Sequence, residues 1–198
     1  MIWRVEVKHK PGVFDPHGES IRKDIVDSGL SGITRVDVVD VYHIDGALSQ
    51  QEIGNVSRRL LADPVTQEYA IVQAEGFKEP PAASAIHLIE IAHHPGVMDP
   101  VEASTLKGIQ DLGFKNVSAV RTAKKYCFHG NVSGRAIENI VGKILCNKLI
   151  QHVVKHPVVW KSPAPKADGP VNVVVVDLLK ASEKQLKGIS QQGQLFLN

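Results

Sequence analysis

Trp3, Val5 and Val7 alternate with Arg4, Glu6 and Lys8, which predicts an opening strand with one apolar and one wet face. A helix is expected from about Pro16 to Ser28, where Ile21 and Ile25 stand four apart. Asp15 is placed to cap its first amides, Pro16 takes the first helical position, and Gly29 closes it. From Thr34 to Ile44 the pattern is again that of a strand, but its phase slips. Val36 and Val38 share one face, then Val39 and Val41 share the other, so a bulge, a bend or a break is expected near Val38. Ser49 and Glu52 form a capping box for a second helix, with Ile53, Val56 and Leu60 on one side. Asp63-Pro64 stops that helix, and a last strand runs from about Val65 to Val72. The order is β-α-β-α-β.

The same pattern then recurs. Lys10-Pro11-Gly12-Val13-Phe14-Asp15-Pro16 returns as His94-Pro95-Gly96-Val97-Met98-Asp99-Pro100, displaced by 84 positions. Without a gap, that shift also superposes His9 on His93, Ile25 on Ile109, Tyr42 on Tyr126, Ser49 on Ser133 and Ile53 on Ile137. A unit of about 70 residues is therefore duplicated. In the second copy Ile89 and Ile91 repeat the inner face of the first strand, while Leu88 and Ala92 make its outer face apolar too. Glu102 completes an Asp-x-x-Glu capping box with Asp99. Gly18 holds that place in the first copy, so a weaker cap is expected there. Neither half is large enough for a sizeable core of its own, so packing between them is expected. The fold class is α+β: two repeats packed as a pseudo-twofold dimer, with mainly antiparallel sheets and helices on one face.

Repeat 1 is placed at residues 1–75, a linker at 76–84, and repeat 2 at 85–160. Residues 161–198 read as a Pro-containing flexible linker with a short strand, Val171 to Val176, and a short helix capped at Ser182 and closed by Gly193. The apolar ending Leu195-Phe196-Leu197 carries the expectation that more protein normally follows.

A net charge of +2 is too small to argue for nucleic acid, and Tyr42, Tyr126 and Phe128 are too few for an RNA-binding sheet. The start lacks the apolar core of a signal peptide, and no apolar run reaches the roughly eighteen residues of a spanning helix. Cys127 and Cys146 have no CxxC spacing and read as reduced, half-buried thiols of a cytosolic protein. The histidines invite a metal reading. Yet His93 and His94 are adjacent, and His152 and His156, though four apart, align with a strand and precede Pro157. His9 and His93, equivalent across the repeat, admit two readings, a brace for the turn or a polar site between the halves. Ser133-Gly134-Arg135 aligns with Ser49 and reads as a helix cap. No nucleophile elbow, P-loop or dinucleotide fingerprint occurs, so no catalytic, cofactor-binding or metal-binding residue is assigned.

The stretch Val5-Glu6-Val7-Lys8-x-Lys10-Pro11-Gly12-Val13-x-Asp15-Pro16-x-Gly18, with Leu60-Leu61-Ala62-Asp63-Pro64-Val65, resembles the signatures of the PurS family. That family is the small subunit of phosphoribosylformylglycinamidine synthase. The second copy keeps Pro95-Gly96-Val97-Met98-Asp99-Pro100 but departs at Glu102 and Lys148. PurS subunits pair as dimers, so the duplicated chain resembles the PurS-dimer-like N-terminal domain of the fused synthase. The resemblance implies a non-catalytic, cytoplasmic assembly role in purine biosynthesis, without cofactors. Its implied partners are synthetase (PurL-type) and glutaminase (PurQ-type) subunits or domains, between which ammonia passes; a homo-oligomer is also compatible. A second reading is a regulatory module binding a small ligand between the repeats. A third, a hydrolase built on the histidines, needs a His cluster that the spacing does not provide.

Overall fold

The computed structural model describes residues 1–74, 77, 86–155 and 181–192. The chain divides into two units, Met1–Pro163 and Ala164–Asn198. In the first, six strands form one sheet: β1 (Ile2–His9), β2 (Ile33–Gly46), β3 (Gln67–Gln73), β4 (Ile86–His93), β5 (Val117–Gly130) and β6 (Gln151–Val153). Their spatial order is β3-β1-β2-β5-β4-β6, and each pairing is antiparallel. The helices are α1 (Pro16–Asp27), α2 (Gln50–Val56), α3 (Pro100–Asp111) and α4 (Gly134–Ile140). α2 and α4 each run on into a π-helical turn, Ser57–Leu61 and Val141–Leu145. The second unit contributes α5 (Glu183–Gln192), whose start is fixed by Ser182 donating from its amide and its hydroxyl to Gln185. Apart from Phe77, the expected linker 76–84 lies outside the described residues, as do the expected strand Val171 to Val176 and the Gly193 stop.

The α+β class and the duplicated pattern hold, with one refinement: the two repeats share a single sheet, joined by the long β2–β5 pairing. β2 is one continuous strand of 14 residues, not a bent or broken one. Its register with β5 is unbroken from Arg35 to Asp45, and the irregularities fall only at its two ends. The apparent slip at Val38 has a simpler cause. Val36 and Val38 pack under the helices, whereas Val39 and Val41 are buried on the opposite face, so a two-sided strand shows no alternation.

Two apolar cores lie between the helices and the sheet, and each is built from both repeats. One gathers Val7, Ile44, Ile53 and Val56 of repeat 1 with Ile109, Val117 and Val120 of repeat 2. The other gathers Ile91, Phe128, Ile137 and Ile140 of repeat 2 with Ile25, Ile33 and Val36 of repeat 1. A shift of 84 positions exchanges the two sets member by member. Each repeat thus lends its first helix to the core formed on the other repeat's strands. A fully buried Ile contributes roughly 1.5–3 kcal/mol, so neither half retains its core without its partner.

The register locates the symmetry axis. Asp40 of β2 faces Lys124 of β5, and these two are repeat equivalents. On either side Val39 faces Lys125 and Val41 faces Ala123, an exchange that a twofold at Asp40–Lys124 requires. In a dimer of identical copies this position would set a charge against itself. Here Lys124 Nζ lies 2.5 Å from Asp40 Oδ1.

The face of β1 expected to be wet is so only at its far end, where Lys8 is exposed; Glu6 is half-buried and Arg4 is buried. Arg4 is 1 % exposed and reaches across the sheet to Glu90, with Nη2 2.7 Å from Oε2. Its Nε also donates to Glu6 at 2.8 Å, and Lys125 Nζ closes on the other Glu6 oxygen at 2.5 Å. The Phe77 ring covers the Arg4 guanidinium at 4.6 Å. Burial works against both charges. The bonds to Glu90 and Glu6 outweigh it and raise the Arg4 pKa above its ordinary value. Lys125, with help from Arg4, likewise holds the Glu6 carboxyl below the usual range.

Candidate functional site

Each Pro-Gly turn carries its glycine at positive φ, 82° at Gly12 and 91° at Gly96, and delivers an Asp to a helix start. Asp15 Oδ1 accepts from the amides of His17 and Gly18, and its Oδ2 accepts from the Val38 amide on β2 at 2.9 Å. This anchors α1 against the sheet. Gly18 permits the approach, because a Cβ there would stand 2.0 Å from the Val36 carbonyl oxygen.

The second turn solves the same problem differently. Asp99 Oδ1 accepts from the Val101 amide, and Oδ2 accepts from the Thr122 hydroxyl. Glu102 does not complete a capping box. It accepts from the Thr122 amide at 3.1 Å, which is the equivalent of Val38, and pairs with Arg121 at 3.0 Å. Glu102 therefore takes over the strand anchor that Asp15 supplies in repeat 1. The first cap, with two helix amides against one, is not the weaker of the two.

The two histidines of the turns stand beside these carboxylates. His9 Nδ1 lies 3.8 Å from Asp15, and His93 Nδ1 lies 3.4 Å from Asp99. Lys10 Nζ donates to the Pro64 and Val65 carbonyls, and its equivalent His94 reaches the Lys148 carbonyl through Nε2. His152 sits on β6 and stacks on His94 with centroids 5.0 Å apart; burial and His94 lower its pKa. His156 lies outside the described residues. Among the described residues, no three His, Cys, Asp or Glu side chains are grouped to hold a metal ion. Ser49 and Ser133 cap α2 and α4, the former through a complete capping box with Glu52. Cys127 and Cys146 are half-buried and form no disulfide.

A cleft of about 150 Å³ opens on the helix face beside the twofold axis. Asp40, Tyr42, Lys124 and Tyr126 come from the two central strands, and His93, Asp99 and Val101 from the second turn. Tyr42 and Tyr126 are repeat equivalents and flank the axis. Burial pushes each phenol up to about 12, with Asp40 adding to the shift in both and Asp99 in Tyr42. Both tyrosines are visible in the sequence as equivalents. Their convergence on Asp40 appears only once β2 and β5 are set in register.

The family model described as "PurS: Phosphoribosylformylglycinamidine (FGAM) synthase" matches residues 2–75 and again residues 87–156. The chain belongs to the PurS family. Its two PurS segments correspond to the two structural repeats, interlocked about the Asp40–Lys124 axis. The phosphoribosylformylglycinamidine synthase subunit PurS of Archaeoglobus fulgidus is 36% identical over 80 residues, which cover 38% of this chain and 100% of that protein. The crystal structure of Methanocaldococcus jannaschii PurS aligns at 25% identity and a TM-score of 0.33, over 36% of this chain and 92% of its own. That protein is described as a subunit of formylglycinamide ribonucleotide amidotransferase in the purine biosynthetic pathway. Among the described residues no helix is long and apolar enough to cross a membrane.

Proposed function

We propose that this PurS-family chain is a non-catalytic assembly component of phosphoribosylformylglycinamidine synthase, acting in the cytoplasm in purine biosynthesis. It bridges a PurL-type synthetase and a PurQ-type glutaminase and supports the passage of ammonia between them. It has no activity alone. One observation carries the reading: two PurS segments follow one another and share one sheet about a pseudo-twofold, a dimer within a single chain. The match over the full length of the A. fulgidus subunit supports it. The domain limits that go with this reading are repeat 1 at 1–75, a linker at 76–84, repeat 2 at 85–160, and a linker from 161 to 198 with a strand and a helix.

Joining the repeats covalently removes the concentration dependence of a two-chain dimer and fixes which surface faces each partner. The two faces also differ, because Asp40 and Lys124, or Gly18 and Glu102, are not alike. Two unlike partners can therefore be told apart across a nearly symmetric core. The test is reconstitution with a PurL-type synthetase and a PurQ-type glutaminase, with glutamine, ATP and formylglycinamide ribonucleotide present. Glutamine-dependent amidine formation should require the chain. A trio that forms no complex under these conditions would refute the assignment.

A further inference from the structure

We propose that the open edge of the sheet at β3 docks the same edge of a second copy of this chain. The proposal goes beyond the assembly role and does not depend on it. β3 ends the sheet, and among the described residues it pairs only with β1. Two bonds at its ends set which of its backbone groups are used. The Lys10 amide donates to the Thr66 carbonyl at 3.0 Å, and the Ala74 amide donates to the Ile2 carbonyl at 2.9 Å. Alternation along an antiparallel pair then turns the N–H and C=O of Glu68, Ala70 and Val72 toward β1. Those of Gln67, Tyr69, Ile71 and Gln73 point away from the sheet.

Such a row of open groups is a template for another strand, and proteins commonly blunt it. The opposite edge, in repeat 2, is blunted. There β6 is only three residues long, the equivalent of Ala70 is the buried Val154, and the equivalent of Gln73 is Pro157, which has no N–H. β3 runs for seven residues without proline or lysine. Its one charge, Glu68, stands 3.3 Å from Lys8.

The register selects the occupant. A twofold through Ala70 sets Gln67 against Gln73 and Tyr69 against Ile71 of the other copy. Every outward N–H and C=O then has a partner, which no other antiparallel register achieves. On the helix side an aromatic ring meets a β-branched side chain, a favourable cross-strand pair. On the other face Glu68 meets Val72, so no like charges are opposed. At the axis the two Ala70 residues form a non-hydrogen-bonded pair with Cα atoms about 4.5 Å apart. Ala70 is exposed and has the small side chain that this approach requires. The strand is complementary to itself in hydrogen bonding, charge and size, which favours a second copy over an unlike strand.

Sedimentation velocity of the full chain from about 1 μM to about 1 mM should show the mass rising from one chain toward two. Ala70→Lys sets two ammonium groups against each other at the axis and should weaken association at least about tenfold. Gln73→Pro removes an open N–H from each copy and no bond to β1, and should weaken association about tenfold. Both variants should keep the parent's circular dichroism spectrum. Under mild oxidation Ala70→Cys should form a covalent dimer, because its partner position is itself. Val72→Cys, which faces Glu68, should not, and neither should the parent with its own Cys127 and Cys146. A chain that stays single at every concentration overturns the proposal, whether its edge is bare or taken by another segment of the same chain. So does a dimer that either folded variant leaves at parental affinity, or one that Val72→Cys cross-links as readily as Ala70→Cys.

Discussion

Ile109 is the point at which repeat 2 enters the core of repeat 1. It is 0 % exposed and packs in the cluster that holds Trp3, Val5 and Ile53. Ile109→Ala deletes three buried carbons and leaves a cavity, a change that costs about 2–5 kcal/mol. For a unit of this size about 3 kcal/mol lowers Tm by roughly 6–12 °C. The chain has two tryptophans. In a Trp160→Phe background, therefore, Trp3 fluorescence reports on the core of repeat 1 alone. A substitution made in repeat 2 should then shift the Trp3 transition by the full amount, coincident with far-UV circular dichroism. Ile25→Ala, its equivalent in the other core, should shift the same single transition by a similar amount. Two separate transitions, or an unmoved Trp3 signal in Ile109→Ala, would refute the interlocked-core reasoning.

Three other outcomes follow from the geometry. Glu90→Gln leaves the buried Arg4 charge without its cross-sheet partner and should cost about 3 kcal/mol in chemical denaturation; a loss within error of zero contradicts the buried network. Gly18→Ala places a Cβ 2.0 Å from the Val36 carbonyl, so α1 must lift from β2. It should be far more damaging than Gly54→Ala, which meets nothing within 4 Å; equal melting points would remove the close-approach argument. His152 has its pKa lowered by burial and by His94, so the unfolded chain takes up this proton more readily than the fold does. Its contribution is constant above the ordinary histidine value of about 6.5 and is lost as pH falls below it. His152→Phe should flatten that part of the stability–pH curve, and an unchanged slope would refute the assignment.

The elements whose signals are local were legible in the sequence. The 84-residue shift, the Asp caps followed by Pro, the Ser49–Glu52 box and the inner face of β1 all appear where the pattern places them. The misreadings share one cause, a partner far away in sequence. Arg4 looks solvated until Glu90, 86 positions on, is brought beside it. Glu102 looks like a capping residue until the Thr122 amide competes for it. Val38 looks like a bulge because alternation cannot reveal a strand buried on both faces. The cleft needed the β2–β5 register, which no single stretch encodes, and the π-helical turns after Val56 and Ile140 left no distinct pattern.

The central claim is that each repeat completes the other's core, and cutting the connection between them tests it most directly. A protease site placed between residues 76 and 84 and cleaved after folding should leave both halves eluting together on a sizing column, with an unchanged circular dichroism spectrum. Two folded halves that elute separately would contradict the account.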